Sequence, residues 1–386
     1  MKYIKEFRDG KKAKILAEQI KKEVKQNYAF MEFCGGHTHA IFKYGLTDLL
    51  PPEIKMIHGP GCPVCILPEK VIKQAIDLTL DRDILFCSYG DLLKVPGPKG
   101  DSLLKAKARG ANVSMVYSSL DALNLARKNP DKKIVFMGIG FETTAPATAM
   151  AIKMAKDQNL TNFFVFCNHV LTPSAIQNIF HSPELRNMQE LKIDGLLGPS
   201  HVSSIIGTRP YEYFTEEFEK PVVIAGFEPL DVLQSILMLV RQVNEKRAEV
   251  ENQYIRVVDK EGNQTAKNIV AEIFELERNF EWRGLGSIPY SSLKIKKKYK
   301  QFDIKAYVKL SEEKVLGHKA CQCGAILRGV KTALDCKLFG KTCTPENPLG
   351  PCMVSAEGAC GAYYHWYINK KVENGKRDKT MSLGHD

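Results

Sequence analysis

The sequence has no apolar run of the roughly 20 residues that a helix needs to cross a bilayer. It also lacks a recognisable secretory signal, because its first residues, MKYIKEFRDGKKAKILAEQIKKEV, are too charged to contain the apolar core of such a segment. We therefore expect a cytoplasmic protein that makes no contact with a membrane. Its 386 residues are enough for two or three domains with substantial cores.

A nucleic-acid recognition motif is also missing, although the net charge is +11. The lysines are spread over presumed helix faces, with one dense run at residues 294–300 and no pattern of interleaved aromatic residues. A solvated basic face is the better interpretation, so we expect no nucleic-acid partner. A partner with an acidic surface stays open.

Short apolar runs alternate with helical stretches through most of the chain. A first set of strands is predicted at residues 29–33, 55–58, 84–87 and 112–117, and a second set at residues 133–138, 163–167, 195–197 and 222–226. Helices are predicted up to Val24 and over residues 69–80, 120–128, 145–158 and 230–244. This alternation indicates parallel α/β architecture, and the two sets suggest two similar units. Helical residues are expected to continue to about Arg278, with an irregular region from Gly284 onward.

Three cysteines in the first part of the chain form a candidate working site. Cys62 and Cys65 are the CxxC pair of the Gly- and Pro-rich stretch HGPGCPVC, directly before a predicted helix. We expect the helix N-terminus to lower the pKa of these thiols and so favour the thiolate, which binds soft metals and attacks disulfides. Cys34 in FCGGHTH follows a predicted strand, at the edge where α/β sheets bind ligands.

Histidines accompany these cysteines. His37 and His39 of FCGGHTH could bind a metal or move protons, or they could hydrogen-bond locally and hold the loop. His58 is interpreted as structural. Three cysteines leave one position of a tetrahedral site unfilled, as a catalytic or transfer metal requires.

Six further cysteines lie close together in the C-terminal part of the chain: Cys321, Cys323, Cys336, Cys343, Cys352 and Cys360. In reducing cytosol such cysteines are more often metal ligands or redox thiols than disulfides. Their spacing matches neither the bacterial ferredoxin pattern nor paired zinc knuckles, so zinc and a [4Fe–4S] cluster both stay open. The cysteines therefore predict two separate sulfur sites, one at the front and one at the rear.

Three further segments place polar residues after predicted strands. Glu142 in GFETTAP lies before a helix and could belong to an anion site or, with the neighbouring threonines, cap that helix. His201 is expected on a loop in GPSHVSSIIG, and Glu228 and Asp231 lie in AGFEPLDVL. Each could be a local turn device, but three such segments on one sheet edge favour a shared cleft.

The motifs FCGGHTH, HGPGCPVC, GFETTAP and GPSHVSSIIG, with the tail segments CQCG, DCKLFGKTCTP and GPCMVSAEGAC, resemble the HypD family of hydrogenase maturation proteins. The resemblance runs through nearly the whole chain. It implies a role in assembling the Fe(CN)2CO group of [NiFe]-hydrogenases, with HypC as bound partner and HypE delivering cyanide in a transient ternary complex. It also implies two similar parallel-sheet α/β domains and an irregular, helix-containing domain that carries a [4Fe–4S] cluster. We place these domains at residues 29–128, 129–244 and 245–386, with residues 1–28 as a helix packing on them.

The resemblance extends to the front cysteines, whereas the choice of cluster ligands and of proton-moving residues is our own hypothesis. Cys34, Cys62 and Cys65 match front cysteines implicated in iron binding or thiol redox work, with Fe(II) carrying cyanide and CO as transient cargo. Candidates for moving protons or for hydrogen bonds to cyanide are His37, Glu142 and His201. The expected cluster ligands are Cys323, Cys336, Cys343 and Cys360, with Cys321 as the main rival and Cys352 next. Whether the protein is itself an enzyme is left undecided.

Two other functions stay open at this point. One is a cluster-linked dithiol/disulfide oxidoreductase that acts on a protein partner. The other is a zinc-stabilised interaction protein, in which the tail is a structural knuckle and the CxxC pair is idle. Iron and acid-labile sulfide would support a cluster, whereas a single zinc would support the last alternative.

Overall fold

The computed structural model describes residues 4–181, 193–313 and 317–368. The predicted C-terminal domain extends to residue 386, so its end lies outside the described residues. Within the described ranges, no helix combines the length and the apolar composition that crossing a bilayer requires.

Two parallel sheets and one antiparallel hairpin form the framework. The strands are β1 Tyr28–Glu32, β2 Ile54–His58, β3 Ile84–Ser88, β4 Val113–Met115, β5 Lys133–Gly140, β6 Phe163–His169, β7 Gly195–Gly198, β8 Val222–Ile224, β9 Val250–Asn252, β10 Phe274–Trp282 and β11 Gly286–Ile295. The first sheet has the order β2-β1-β7-β8-β9, and the second has the order β4-β3-β5-β6. Strands β10 and β11 pair with each other.

Helices connect and cover the strands. Those of the described residues are α1 Gly10–Glu23, α2 Gly35–Lys43, α3 Glu69–Leu78, α4 Leu103–Ala108, α5 Ser119–Lys128, α6 Ala145–Asp157, α7 Thr172–His181, α8 Ser200–Ile206, α9 Glu212–Phe218, α10 Pro229–Asn244, α11 Gln264–Ile273, α12 Cys323–Leu327 and α13 Ala359–Tyr363. Between β11 and α13, the described residues include short 3-10 helices at Lys297–Phe302, Ile304–Ala306, Ala333–Asp335 and Pro351–Met353. Helix α1 packs against α10, where Arg241 pairs with Glu23 at 2.6 Å.

The predicted parallel α/β architecture is confirmed, and the eight predicted strands and five predicted helices are all present. Their division between the sheets is different from the prediction. The first sheet takes β1 and β2 from the first predicted set and β7 and β8 from the second, because the chain leaves this sheet to build β3–β6 and then returns. Apolar runs identify buried strands but carry no information about their neighbours. The sheets therefore do not follow the predicted division at residue 128.

The hairpin corrects a second expectation. Helix α11 ends at Ile273 and strand β10 begins at once, so the helix predicted to reach Arg278 is wrong. Strand β11 likewise lies in the region that we expected to be irregular. The segment FELERNFEW is rich in charged residues because most of its side chains face solvent, and this hides the strand pattern.

Candidate functional site

Cys34 lies where strand β1 passes into helix α2. It is the residue before the first turn of α2, with extended backbone, and its N–H donates to Glu32 Oε2 at 2.8 Å. The HGPGC loop packs directly on it: a Cβ atom on Gly61 would stand 2.6 Å from the backbone nitrogen of Cys34. Only a residue without a side chain fits at Gly61, so this glycine allows the HGPGC loop to pack directly on Cys34.

Glu32 is a buried carboxylate that holds this loop in place. Its oxygens accept hydrogen bonds from the Cys34 N–H, the Thr38 hydroxyl and Nδ1 of His58, the last at 2.8 Å. A buried carboxylate needs such donors because water cannot reach it. The contact gives His58 the structural role expected for it. Sequence reasoning missed Glu32, although a glutamate that ends a buried strand two residues before a candidate cysteine is an available signal.

His201 faces the thiol of Cys34. Its Nδ1 lies 3.8 Å from Cys34 Sγ, and its ring packs on Phe227 with centroids 4.2 Å apart. His201 belongs to the first turn of α8 rather than to a loop, which corrects the prediction. Burial raises the pKa of the Cys34 thiol to about 12 and lowers the pKa of His201. At neutral pH both groups are uncharged, and binding a metal to this thiol requires release of its proton.

His37 holds the loops around this site. Its buried Nε2–H donates to the carbonyl oxygens of Ala225 and Gly226, both at 3.1 Å. Its Nδ1 is buried and has no hydrogen-bond partner among the described residues. His39 packs edge-on against Trp366 at 5.4 Å. These contacts give both histidines local structural roles, and the proton-moving role of His37 stays a prediction.

The CxxC pair, Cys62 and Cys65, packs against the C-terminal cysteines. Cys65 is fully buried, its thiol lies beside those of Cys62 and Cys352, and its Sγ lies 3.8 Å from the carbonyl oxygen of Pro351. Burial raises the pKa of Cys65 well above its usual range. The expected lowering by the helix N-terminus is therefore wrong for Cys65, because α3 begins only at Glu69 and desolvation outweighs its dipole.

The C-terminal cysteines surround a small cavity. Its lining includes five thiols with apolar neighbours: Cys321, Cys323, Cys336, Cys343 and Cys360. Cys321 and Cys323 have their sulfurs 3.3 Å apart, and Cys343 Sγ accepts the N–H of Leu349 at 3.4 Å. The neighbouring thiols and burial raise the pKa of Cys321. A donor set of this kind fits an iron–sulfur cluster, because positive iron compensates the repulsion between crowded thiolates.

Cys352 joins the two cysteine groups. It is not among the cavity-lining cysteines, and its thiol lies beside those of Cys65 and Cys323. The predicted separation into a front and a rear sulfur site is therefore wrong for the CxxC pair, which packs on the tail cysteines. All eleven cysteines are free thiols. In the described part of the chain, no three cysteine, histidine or carboxylate side chains converge as ligands of one metal ion. An iron site formed by the front cysteines stays a prediction.

Glu142 binds the start of a different helix from the one expected. Its carboxylate accepts the N–H of Thr172 at 2.8 Å and the Thr172 hydroxyl at 3.0 Å, at the beginning of α7. The predicted cap of the helix that follows Glu142 in sequence is not formed by this side chain. Burial raises the pKa of Glu142 to about 7. Buried Tyr211 lies near both Glu142 and Cys34, so the two candidate residues belong to neighbouring regions.

Glu228 and Asp231 form a structural turn. They make a reciprocal capping box at the start of α10, and Glu228 also binds Arg8 at 2.8 Å. Asp231 is fully buried and pairs with Arg256, whose Nη1 donates to Oδ1 at 2.9 Å. This turn fixes Phe227, which packs on His201 and on His37. The interpretation as a local turn device is therefore supported for this segment.

Known proteins resemble this chain along nearly its whole length. A family model named HypD, with the description Hydrogenase formation hypA family, matches residues 11–367. Hydrogenase maturation factor HypD2 of Bradyrhizobium diazoefficiens is 60% identical over 379 residues, which are 98% of this chain and 99% of that protein. Hydrogenase maturation factor HypD of Cupriavidus necator is 57% identical over 95% of this chain and 97% of its own length. The Escherichia coli protein of the same name is 42% identical over 95% of this chain and 98% of its own length.

Proposed function

The chain belongs to the HypD family of hydrogenase maturation factors, and we propose that it holds iron during assembly of the Fe(CN)2CO group of a [NiFe]-hydrogenase. The observation that carries this proposal is the pair of Cys34 and His201 at the carboxyl ends of β1 and β7, 3.8 Å apart. A soft thiolate suits Fe(II) that carries cyanide and CO as cargo. Cys62 and Cys65 are further candidate ligands if the loops rearrange on binding.

The loops around Cys34 are built to keep its sulfur in one place. Glu32 anchors the backbone N–H of Cys34, and Gly61 packs against the same backbone. His201 is positioned to accept the thiol proton when the metal binds. The buried, partnerless Nδ1 of His37 offers one more acceptor near this region. HypC, docked beside these loops, would supply further iron ligands, and HypE would deliver cyanide in a transient ternary complex.

The rear cavity is the proposed site of a [4Fe–4S] cluster, which would supply single electrons when bound. Cys336, Cys343 and Cys360 line this cavity and keep the role expected from the sequence. For the fourth ligand we now favour Cys321 over Cys323. Both line the cavity, but the thiol of Cys323 also contacts Cys352 and is suited to exchange with it.

The thiol contacts support a redox route between the cavity and the front motif. Cys62, Cys65, Cys352 and Cys323 form a continuous series of contacts. Reduction of a Cys62–Cys65 disulfide would take two electrons and two protons and yield two thiols. Thiol–disulfide exchange along this series would move that reducing power without a diffusing carrier.

The same contacts favour one competing function, a cluster-linked dithiol oxidoreductase that acts on a protein partner. The two functions differ in cargo, because only iron assembly places cyanide and CO on the protein. The test is to purify the protein with HypC under anaerobic conditions and record its infrared spectrum. We expect cyanide and CO bands in the unchanged complex and their loss in Cys34→Ala.

A matched control is Cys87→Ala, which removes a buried thiol in strand β3 of the second sheet. This variant should keep the bands. Bands at full intensity in Cys34→Ala would exclude Cys34 as an essential ligand. A cluster without any diatomic bands in the unchanged complex would instead favour the oxidoreductase.

A further inference from the structure

A basic cleft lies beside the C-terminal cysteines, between the turn that leads into helix α4 and the loop that follows Cys343. We propose that it is the docking surface for the acidic face of a small one-electron carrier protein of the iron–sulfur or flavin class. The proposal rests on the proposed function, because that function requires electrons at the rear cysteines. The cleft has a volume of about 530 Å³, and its cationic side chains are Lys94, Lys99, Lys105 and Arg283.

Backbone groups of the cleft wall are bonded directly to the cysteine segment. The carbonyl oxygen of His318 accepts the N–H of Cys321 at 2.9 Å, and the N–H of Leu349 donates to Cys343 Sγ at 3.4 Å. Both His318 and Leu349 line the cleft. Only the residues of the cleft wall would therefore separate a bound carrier from the sulfurs that are proposed to hold the cluster.

The charge of the cleft is concentrated in its exposed lysines. Arg283 is neutralised by Glu69, at 2.6 Å, and both side chains are largely buried. Lys94 and Lys99 are exposed and form no ion pair with any described residue, and Lys105 donates to the carbonyl oxygen of Gly100 at 2.6 Å. The cleft lining also includes the exposed carboxylate of Glu346, so the three lysines leave an excess of positive charge for an incoming acidic surface.

The exposure of these lysines indicates a protein partner rather than a small anion. Small-ligand sites use a few fixed polar groups that converge inside an enclosed pocket. Here the lysines are long, solvated side chains, which steer a charged partner over distance and form weak, salt-sensitive contacts. Pro345 and Leu349 add apolar surface to the cleft beside Cys343, where a redox partner would make its closest contact.

The electron balance of docking is simple. Each reduced carrier gives up one electron and leaves in its oxidised form. Two successive carriers supply two electrons and the solvent supplies two protons. Together these reduce one disulfide to two thiols. The carrier itself is the reductant, so no other co-reactant is required.

The test compares two charge-reversed variants of equal net charge. One carries Lys94→Glu, Lys99→Glu and Lys105→Glu in the cleft. The control carries Lys11→Glu, Lys14→Glu and Lys21→Glu on helix α1, which packs against α10 beside the first sheet. The probe is a purified acidic [2Fe–2S] ferredoxin, titrated against each protein at low and at high ionic strength.

We expect the unchanged protein and the control to bind the ferredoxin at low ionic strength and to lose affinity as salt is added. The cleft variant should bind about tenfold or more weakly, with little remaining salt dependence. Equal weakening in both variants, full binding by the cleft variant or no binding by the unchanged protein would each overturn the proposal. Co-purification with HypC, which the cleft variant should retain, tests the proposed function separately from the docking surface. Unaltered thermal unfolding confirms that the cleft variant is folded.

Discussion

The backbone of Gly358 lies against the thiol of Cys65. A Cβ atom on Gly358 would stand 2.9 Å from that sulfur and would also overlap the carbonyl oxygen of Cys352. The turn before helix α13 is thus fitted to the front CxxC motif, and the same tail segment places Glu357 against Gly35, next to Cys34. The tail is therefore packed against both front cysteine loops, and changes at this contact should affect both.

Replacing Gly358 by Ala should separate Cys65 from Cys352. The added methyl group cannot fit between backbone and sulfur, so we expect a loss of about 1–3 kcal/mol in the free energy of unfolding and faster alkylation of Cys65. Mass spectrometry of the alkylated thiols measures the second effect. Gly10→Ala is the control, because nothing lies within 4 Å of a Cβ atom at that position. An unchanged alkylation rate would show that Gly358 does not position Cys65.

Serine replacement of the six C-terminal cysteines should separate ligands from relay thiols. We expect loss of cluster absorbance and of iron after replacement of Cys321, Cys336, Cys343 or Cys360. Replacement of Cys323 or Cys352 should leave the cluster intact but slow the reduction of a Cys62–Cys65 disulfide. Anaerobic counts of iron and acid-labile sulfide provide the measurement, with about four irons expected in the unchanged protein. If the cluster is retained in Cys321→Ser and lost in Cys323→Ser, then Cys323 is the fourth ligand, as expected from the sequence.

Glu142→Gln should change how stability depends on pH. Burial raises the pKa of Glu142 to about 7, so the folded state binds more protons than the unfolded state between the ordinary carboxyl pKa of about 4.3 and pH 7. Stability therefore falls as the pH rises through this window. Glutamine cannot ionise, and it can accept the Thr172 N–H through Oε1 while its Nε2 donates to the Thr172 hydroxyl oxygen. Relative to the parent, the variant should gain about 3 kcal/mol between pH 4 and pH 8. Denaturant titrations across this range measure the free energy of unfolding of both proteins. A difference between parent and variant that stays constant with pH would contradict the prediction.

Asp231→Asn should weaken the turn that holds Phe227 beside His201. It removes the negative charge from a fully buried side chain and leaves Arg256 without its ionic partner, so we expect a loss of about 3 kcal/mol in denaturant titrations. Glu23→Gln, at the more exposed pair with Arg241, should cost less than about 1 kcal/mol. Equal losses in the two variants would argue against a special role for the buried pair.

Local sequence patterns predicted much of the architecture and part of the candidate site. The alternation of apolar runs and helical stretches placed eight strands and five helices, because each pattern is set within a few residues of chain. The motifs FCGGHTH and GPSHVSSIIG also marked Cys34 and His201, and the fold brings Sγ of Cys34 within 3.8 Å of Nδ1 of His201. Strand β10 escaped prediction because its exposed face is charged and its pattern resembles that of a surface helix.

The amino-acid pattern alone is enough to predict a parallel α/β protein with a cysteine-rich tail and the motifs of its family. Which strands share a sheet and which thiols meet depends instead on the tertiary fold. Cys65 and Cys352 are distant in sequence, and their contact depends on the tail packing across the front loops. Burial is likewise a property of that packing, and it raises the pKa of Cys65 against the local effect of the helix that follows.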